Sequence, residues 1–325
     1  MAYHKRLMER AKEKYIARVR AFNDREDARK ERLLRSSPRL AEIDRRLSAL
    51  SFRMARAALA GRKADIADIR CEAETLYETQ AAILTEIGKD KNLLRPHYLC
   101  SVCEDAGIRS DGTPCKCLLS FYTREMLEKY ANFLGEASFS AFSFELYPEI
   151  VNSLYETSPR ISADFVYDQC LDFARGFQPG RSMGIYLHGG CGVGKTFIAA
   201  SVAREVIEKG YYVHCISAIR MFAVQDRARF GHATEEEKED LEACFDADLL
   251  VLDDLGAEYG SPQNAPFLSR LLNERLALRK SVMVVSGLRP EELTSRYSSQ
   301  VESRIAGSLS DLLLVGEDLR KADNN

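Results

Sequence analysis

The chain predicts an α/β protein, with a parallel five-stranded sheet flanked by helices in its C-terminal half, preceded by an α-helical hairpin and a small cysteine-rich unit. Three observations carry that expectation. From Gly184 onward short apolar runs alternate with helix-forming segments, the pattern of a parallel sheet built from βα units. The first run, GIYLHG, feeds GGCGVGKT, a glycine-rich loop of the form G-x-x-x-x-G-K-T that opens onto a helix. A later run, ADLLVLDD from Ala247 to Asp254, reads as a buried strand ending in two acids. On this pattern the chain divides into a charged helical arm and hairpin (1–97), a cysteine unit (98–120), a helical connector with an aromatic segment (121–180) and the sheet domain (181–325).

Composition sets the outer limits. With 46% hydrophobic and 29% charged residues the chain has the make-up of an ordinary globular protein, and 325 residues suffice for one large core or several smaller ones. No apolar run approaches membrane-spanning length and MAYHKRLMERAKEKY lacks the apolar stretch of a secretory signal, so a cytoplasmic protein with no membrane partner is expected. The formal charge of −3 hides an asymmetry: residues 1–95 hold 23 Lys+Arg against 15 Asp+Glu, net +8, which leaves −11 for the rest. A basic arm on an acidic body suits a polyanion or an acidic partner; a solvated helical face is the plainer alternative.

Residues 1–35 carry 12 Lys/Arg and 6 Asp/Glu with no Gly or Pro, and read as a charged helix or a partly disordered arm. From Pro38, Leu40, Ile43, Leu47, Leu50, Met54 and Ala57 recur in steps of three and four. Gly61 breaks the seam, and a second follows at Ile66, Ile69, Ala73, Leu76, Ile83 and Ile87. Two such seams joined by a short turn predict an antiparallel hairpin, serving either as core or as an arm for a partner.

Next, Cys100, Cys103, Cys115 and Cys117 form C-x2-C-x11-C-x-C, with Gly107, Gly112 and Pro114 supplying turns between the pairs. Four soft ligands on two turns suit tetrahedral Zn²⁺ in a structural role, since no coordination position stays open; His97 is a conceivable substitute for one thiolate. Cys71, Cys170, Cys191, Cys215 and Cys244 lie singly and read as small buried residues.

Residues 119–134 look helical, and FSAFSFELY from Phe139 to Tyr147 is an aromatic segment that either covers a base or fills a joint. Residues 161–177 read as an amphipathic helix stopped by Pro179-Gly180. Strands are expected at 184–188, 211–217, 248–253, 281–286 and 311–315, and helices at about 195–209, 235–245, 264–279 and 290–307.

The chemistry on this frame is that of a nucleoside triphosphate. A concave row of backbone N–H groups from Gly189, Gly190, Cys191, Gly192, Val193 and Gly194, followed by a helix N-terminus, suits a phosphate chain. Lys195 then reaches the β- and γ-phosphates and the Thr196 hydroxyl reaches Mg²⁺. Asp253, at the strand end, is assigned to the metal and Asp254 to polarising the attacking water.

At this point GGCGVGKT, DLLVLDDLGAE, SVMVVSGL, RYSSQVESRIAG and GEDLR resemble the P-loop AAA+ (ASCE) ATPases of the DnaC/DnaI type, the bacterial and phage helicase loaders. YLCSVCEDAG through PCKCL, with the charged helices before it, resembles the N-terminal part of the longer members. The resemblance implies an ATP-binding and slowly ATP-hydrolysing loader that delivers a replicative DNA helicase to single-stranded DNA during DNA replication. It further implies that Arg304 of SRI is an arginine finger reaching a neighbouring copy, so that the chain self-associates, and that Arg320 of DLR senses the γ-phosphate, with Arg296 the weaker candidate for either role. Two departures accompany it. Ser286-Gly287 stands where the family has Thr/Ser-Asn, so Ser286 must position the water or turnover is slow, and no helical lid follows β-strand 311–315. An IstB-like ATPase regulating a transposase on double-stranded DNA shares the phosphate-loop, acidic-strand and SRI elements and is the alternative.

Overall fold

The computed structural model describes residues 3–181 and 183–324. Two compact units are present, Glu13–Cys117 and the combination of Met1–Lys12 with Leu118–Asn325. Residues 3–12 therefore group with the sheet and not with the hairpin, a division that charge patterning does not reveal.

The charged arm is one helix, α1 (Lys5–Ser36). Ser37 accepts a bond from Leu40 N and Pro38 occupies the first turn, which starts α2 (Pro38–Leu59). After the turn at Gly61 comes α3 (Lys63–Glu86). The two seams meet as expected: Leu40, Ile43, Leu50 and Ala57 pack with Ile69, Leu76, Ile83 and Leu84.

In the other unit, α4 (Lys116–Lys129), α5 (Ala131–Leu134) and α6 (Pro159–Arg175) precede the sheet. Then follow β1 (Gly184–Gly189), α7 (Lys195–Glu208), β2 (Val213–Ser217), α8 (Ala218–Arg229), α9 (Glu235–Asp246), β3 (Leu249–Leu255), α10 (Asn264–Ala277), β4 (Ser281–Ser286), α11 (Pro290–Arg296), α12 (Ser299–Ser308) and β5 (Leu309–Leu314). All five strands are parallel, in the order β2-β3-β4-β1-β5. Both faces are covered, which is why the strands read as continuous apolar runs. Tyr186, Leu250, Leu252, Val282 and Val284 face a core shared with Met221, Phe222, Leu268 and Leu272, while the alternate residues Ile185, Leu187, Val251 and Met283 are equally buried.

Two elements correct the expectation. Helix α8 was not anticipated; Ser217 ends β2 and at the same time caps α8 by accepting from Arg220 N, so no breaker separates them. The single helix expected at 290–307 is two, because Ser298, extended at φ −174°, caps a new helix after Arg296. The segment expected as a connector is built into the sheet unit: Ser162 of α6 donates to Leu313 O at 2.7 Å and accepts from Val315 N at 2.9 Å.

A buried histidine makes this unit acid-sensitive. His214 on β2 is 1% exposed, its Nδ1 is 2.8 Å from the Tyr130 hydroxyl, and burial, reinforced by the Lys129 charge, pushes its pKa down to about 3. Unfolded, it binds a proton below its ordinary pKa of about 6.5, so the unfolded chain takes up more protons between those values and stability falls as pH drops through that window. At about pH 4.5 His214 alone should account for a loss of about 3 kcal/mol relative to pH 7. Denaturant titrations of the protein and of His214→Gln at both pH values check this; equal pH dependence in the two would contradict it.

Candidate nucleotide and metal sites

The sheet order places β1 and β3 on either side of β4, and their C-terminal ends open onto one cavity. The loop after β1 turns through positive φ at Gly189, Gly192 and Gly194. At Gly189 glycine is required for space as well as conformation, since a Cβ there would lie 2.1 Å from the main-chain oxygen of Leu314; one on Gly192 would displace the Asp318 carboxylate and one on Gly194 the Tyr147 hydroxyl. Helix α7 then begins at Lys195, its N-terminus facing the loop.

Lys195 is 8% exposed, and its Nζ donates to Gly189 O at 2.9 Å and Gly190 O at 2.5 Å. Burial lowers its pKa, partly offset by nearby carboxylates including Asp254 and Asp253. Thr196 Oγ1 is 3.2 Å from both carboxylate oxygens of Asp253, which is itself buried. Burial, and secondarily the charge of Asp254, lifts the Asp253 pKa to about 6. A hydroxyl and a carboxylate meeting beside a phosphate loop form the oxygen-rich pair that Mg²⁺ uses while keeping its other ligands as water or phosphate. Asp254 is exposed at the rim of the cavity and held at φ 54°, at the irregularity where β3 and β4 shift register between Leu252 and Leu255. Aspartate is one of the few non-glycine residues that adopt this left-handed conformation readily.

The cavity has a volume of about 440 Å³, within the range of nucleotide-sized pockets. Its apolar wall comes from Phe142, Leu146 and Tyr147 of the aromatic segment and from Leu319. The Tyr147 hydroxyl donates to Val193 O at 2.8 Å, and Phe142 stacks on Tyr147 with centroids 5.5 Å apart. Of the two readings left open for that segment, it therefore lines the cavity. Arg320 enters from the chain after β5: Nη2 is 3.1 Å from Cys191 Sγ, while Nε pairs with Asp318 at 2.9 Å. Leu319 N donates to Gly192 O at 3.1 Å, so this segment is fastened to the phosphate loop. Tyr147 and Asp318 are partners of the loop that sequence reasoning did not single out.

The remaining predicted residues lie elsewhere. Ser286 is fully buried, donating to Leu255 O at 2.7 Å and accepting from Leu288 N at 3.0 Å, and it does not line the cavity. Arg296 donates to the main-chain and side-chain oxygens of Glu258, whose Oε1 also accepts from the Tyr297 hydroxyl at 2.5 Å. Committed in this way, Arg296 ties α11 to the loop after β3. Arg304 is exposed on α12, whose Val301 and Ile305 point into the core, and it does not line the cavity.

In the smaller unit the sulfurs of Cys100, Cys103, Cys115 and Cys117 all lie within 4.8 Å of one another, with Cys100–Cys115 at 3.8 Å and Cys103–Cys117 at 3.4 Å. Four thiolates about 2.3 Å from a tetrahedral ion are separated by about 3.8 Å, so the residues fit Zn²⁺ with sulfur shifts of about 1 Å or less. Asp105 accepts from Leu99 N and Cys100 N, fixing the first turn, and Cys115 N donates to Gly107 O, fixing the second against it. His97 takes no part in this cluster. Of the five single cysteines, Cys170 and Cys244 are buried as expected, whereas Cys71 and Cys191 are exposed. Cys71 lies on the outer side of the hairpin seam, and Cys191 on the open loop.

Comparison with known proteins places this architecture. Residues 177–312 match the family described as IstB-like ATP binding protein. The chain is 30% identical over 135 residues to the replicative helicase loader DnaI of Bacillus subtilis (strain 168), covering 41% of this chain and 42% of that protein. It is 26% identical over 115 residues to the replicative helicase loader DnaC of Escherichia coli (strain K12), covering 35% and 46%. Residues 177–312 are thus similar to the IstB-like ATP-binding proteins, and the chain to the loaders DnaI and DnaC. The chain is also 26% identical over 184 residues to an ATP-binding protein in an insertion sequence of Mycobacterium tuberculosis (strain ATCC 25618 / H37Rv), covering 57% of this chain and 65% of that one. The chain spans less than half the length of the loader relatives it matches. Among the described residues no helix is long and apolar enough to cross a membrane.

Proposed function

We propose that the chain is an ATP-hydrolysing helicase loader, acting in the cytoplasm, that delivers a replicative DNA helicase to single-stranded DNA. One observation carries this reading: in a chain similar to two helicase loaders, Lys195, Thr196, Asp254 and Arg320 line a single cavity and Asp253 stands behind it, 3.2 Å from the Thr196 hydroxyl. Bound ATP–Mg²⁺ supplies the phosphoanhydride that is cleaved. Lys195 exchanges its two carbonyl partners for phosphate oxygens, Thr196 and Asp253 hold the metal, and Asp254 orients the attacking water and draws its proton. The main-chain N–H groups of 189–194 hold the phosphates, the wall of Phe142 and Leu146 takes the base, and Arg320 reads the γ-phosphate end from its place on the loop. Arg304, exposed and outside the cavity, serves the cavity of a neighbouring copy. Gly287 leaves the sensor position without a side chain, which suits a slow switch. Zn²⁺ on the four cysteines holds the small unit together, and that unit with the hairpin docks the helicase. Cations local to the acidic module would hold the single strand.

Asp254→Asn should retain nucleotide binding while turnover falls about a hundredfold or more, because a positioned base is lost with its shape preserved. Calorimetric ATP titration and phosphate release measure the two separately, and unchanged turnover would remove Asp254 from this role.

The family description and the insertion-sequence relative favour a second reading, an ATPase that regulates a transposase on double-stranded DNA. A forked-duplex unwinding assay with the host's replicative helicase decides between them. Loading predicts ATP-dependent stimulation of unwinding; stimulation only of transposase strand transfer would overturn it.

A further inference from the structure

The cysteine cluster and the N-terminal helix meet at one side chain. Tyr15 of α1 is 6% exposed, and its hydroxyl lies 3.4 Å from Cys117 Sγ and 3.8 Å from Cys103 Sγ. It is the one buried side chain of α1 from Glu13 to Ser36; further along, Leu33 and Leu34 rest partly buried against the hairpin and Lys30 pairs with Asp44 at 2.6 Å. Beyond Lys12 the helix has little apolar surface to seat it, so a single buried anchor carries a large share of the placement of Glu13–Ser36.

We infer that Tyr15 is a positioning residue for the cysteine metal centre, its hydroxyl donating to the thiolates of Cys103 and Cys117 and making the seating of α1 depend on the metal. This rests on the reading that the four cysteines hold Zn²⁺. Metal-bound sulfurs carry no proton and only accept, so the direction of the bond is set by metal binding. Four thiolates on one divalent ion carry excess negative charge, and a hydroxyl aimed at two of them disperses it, as a charge-assisted bond. Where a sulfur keeps its proton, the same contact is an ordinary weak one. By linkage, whatever the metal adds to the hold on α1, α1 returns to the hold on the metal.

The test uses the full chain, loaded with Zn²⁺ or with Co²⁺, and Tyr15→Phe, which keeps the ring that fills the site. Zinc transfer to a chromophoric chelator, tryptic cleavage at Arg18, Arg20 and Arg25, and the thiolate-to-cobalt charge-transfer band are recorded. Zinc should leave Tyr15→Phe about tenfold faster, as expected for one lost bond to a charged acceptor. Cleavage within α1 should rise with it while zinc is still bound, the cobalt band should shift, and chelation should bring the parent to the variant's cleavage rate. Equal zinc release, or faster release with α1 cleavage unchanged, overturns the inference. A parent protein that takes up neither ion overturns the metal reading as well, an outcome distinct from the other two.

Discussion

Lys195→Ala should weaken ATP binding at least a hundredfold and leave the fold unchanged. The ammonium is nearly enclosed, and two loop carbonyls hold it at 2.9 and 2.5 Å in the place a phosphate oxygen would take. Two charge-assisted bonds to phosphate, each worth roughly 1.5–3 kcal/mol, convert to a factor of a hundred or more in affinity. Stability should hardly change. Alanine is the best helix former at the start of α7, and removing the lysine also removes the burial that lowers its pKa. Fluorescent-nucleotide titration with thermal denaturation on the same samples checks both halves. An affinity loss below about fivefold would mean that the cavity binds its ligand elsewhere.

Arg275→Ala should be the most damaging single change to stability, although it touches no nucleotide. Arg275 of α10 is 0% exposed; it donates to Cys244 O at 2.7 Å, Ala247 O at 3.0 Å and Ser281 O at 2.5 Å. One guanidinium thus closes the end of α9, the entry to β3 and the start of β4. Burial lowers its pKa to about 10, which still leaves it charged at neutral pH. Truncation orphans three buried carbonyls and opens a cavity, together costing about 3–5 kcal/mol. For a unit of this size that lowers the melting temperature by about 10 °C. A fall of under 2 °C would show that water or a neighbouring side chain replaces the guanidinium.

The sheet was legible because both of its faces are covered, which turned the inner strands β1, β3 and β4 into largely apolar runs. β1, β3 and β4 consequently fall within two residues of expectation at either end. The loop residues were legible because triphosphate binding demands glycine at fixed intervals, and the cysteine cluster because paired turns bring four sulfurs together. What escaped depends on the returning chain. Nothing in LNERLALRK separates Arg275 from a surface cation until β3 and β4 start beside it. Asp318 and Arg320 reach the phosphate loop only because β5 runs parallel to β1 and ends next to Gly189. Tyr15 gave no signal for the same reason, since its partners lie about a hundred residues away in the chain. Ser286 was legible by resemblance alone, since its partner Leu255 O lies 31 residues away in the chain.

Of all the measurements open to this protein, co-purification of the full chain with the replicative helicase of its own host, with and without ATP, bears most directly on the account. A stable complex that responds to ATP and loses that response in Lys195→Ala is the predicted result. No complex in any nucleotide state, with a transposase captured instead, would contradict the loader reading and leave the nucleotide cavity at Lys195 standing alone.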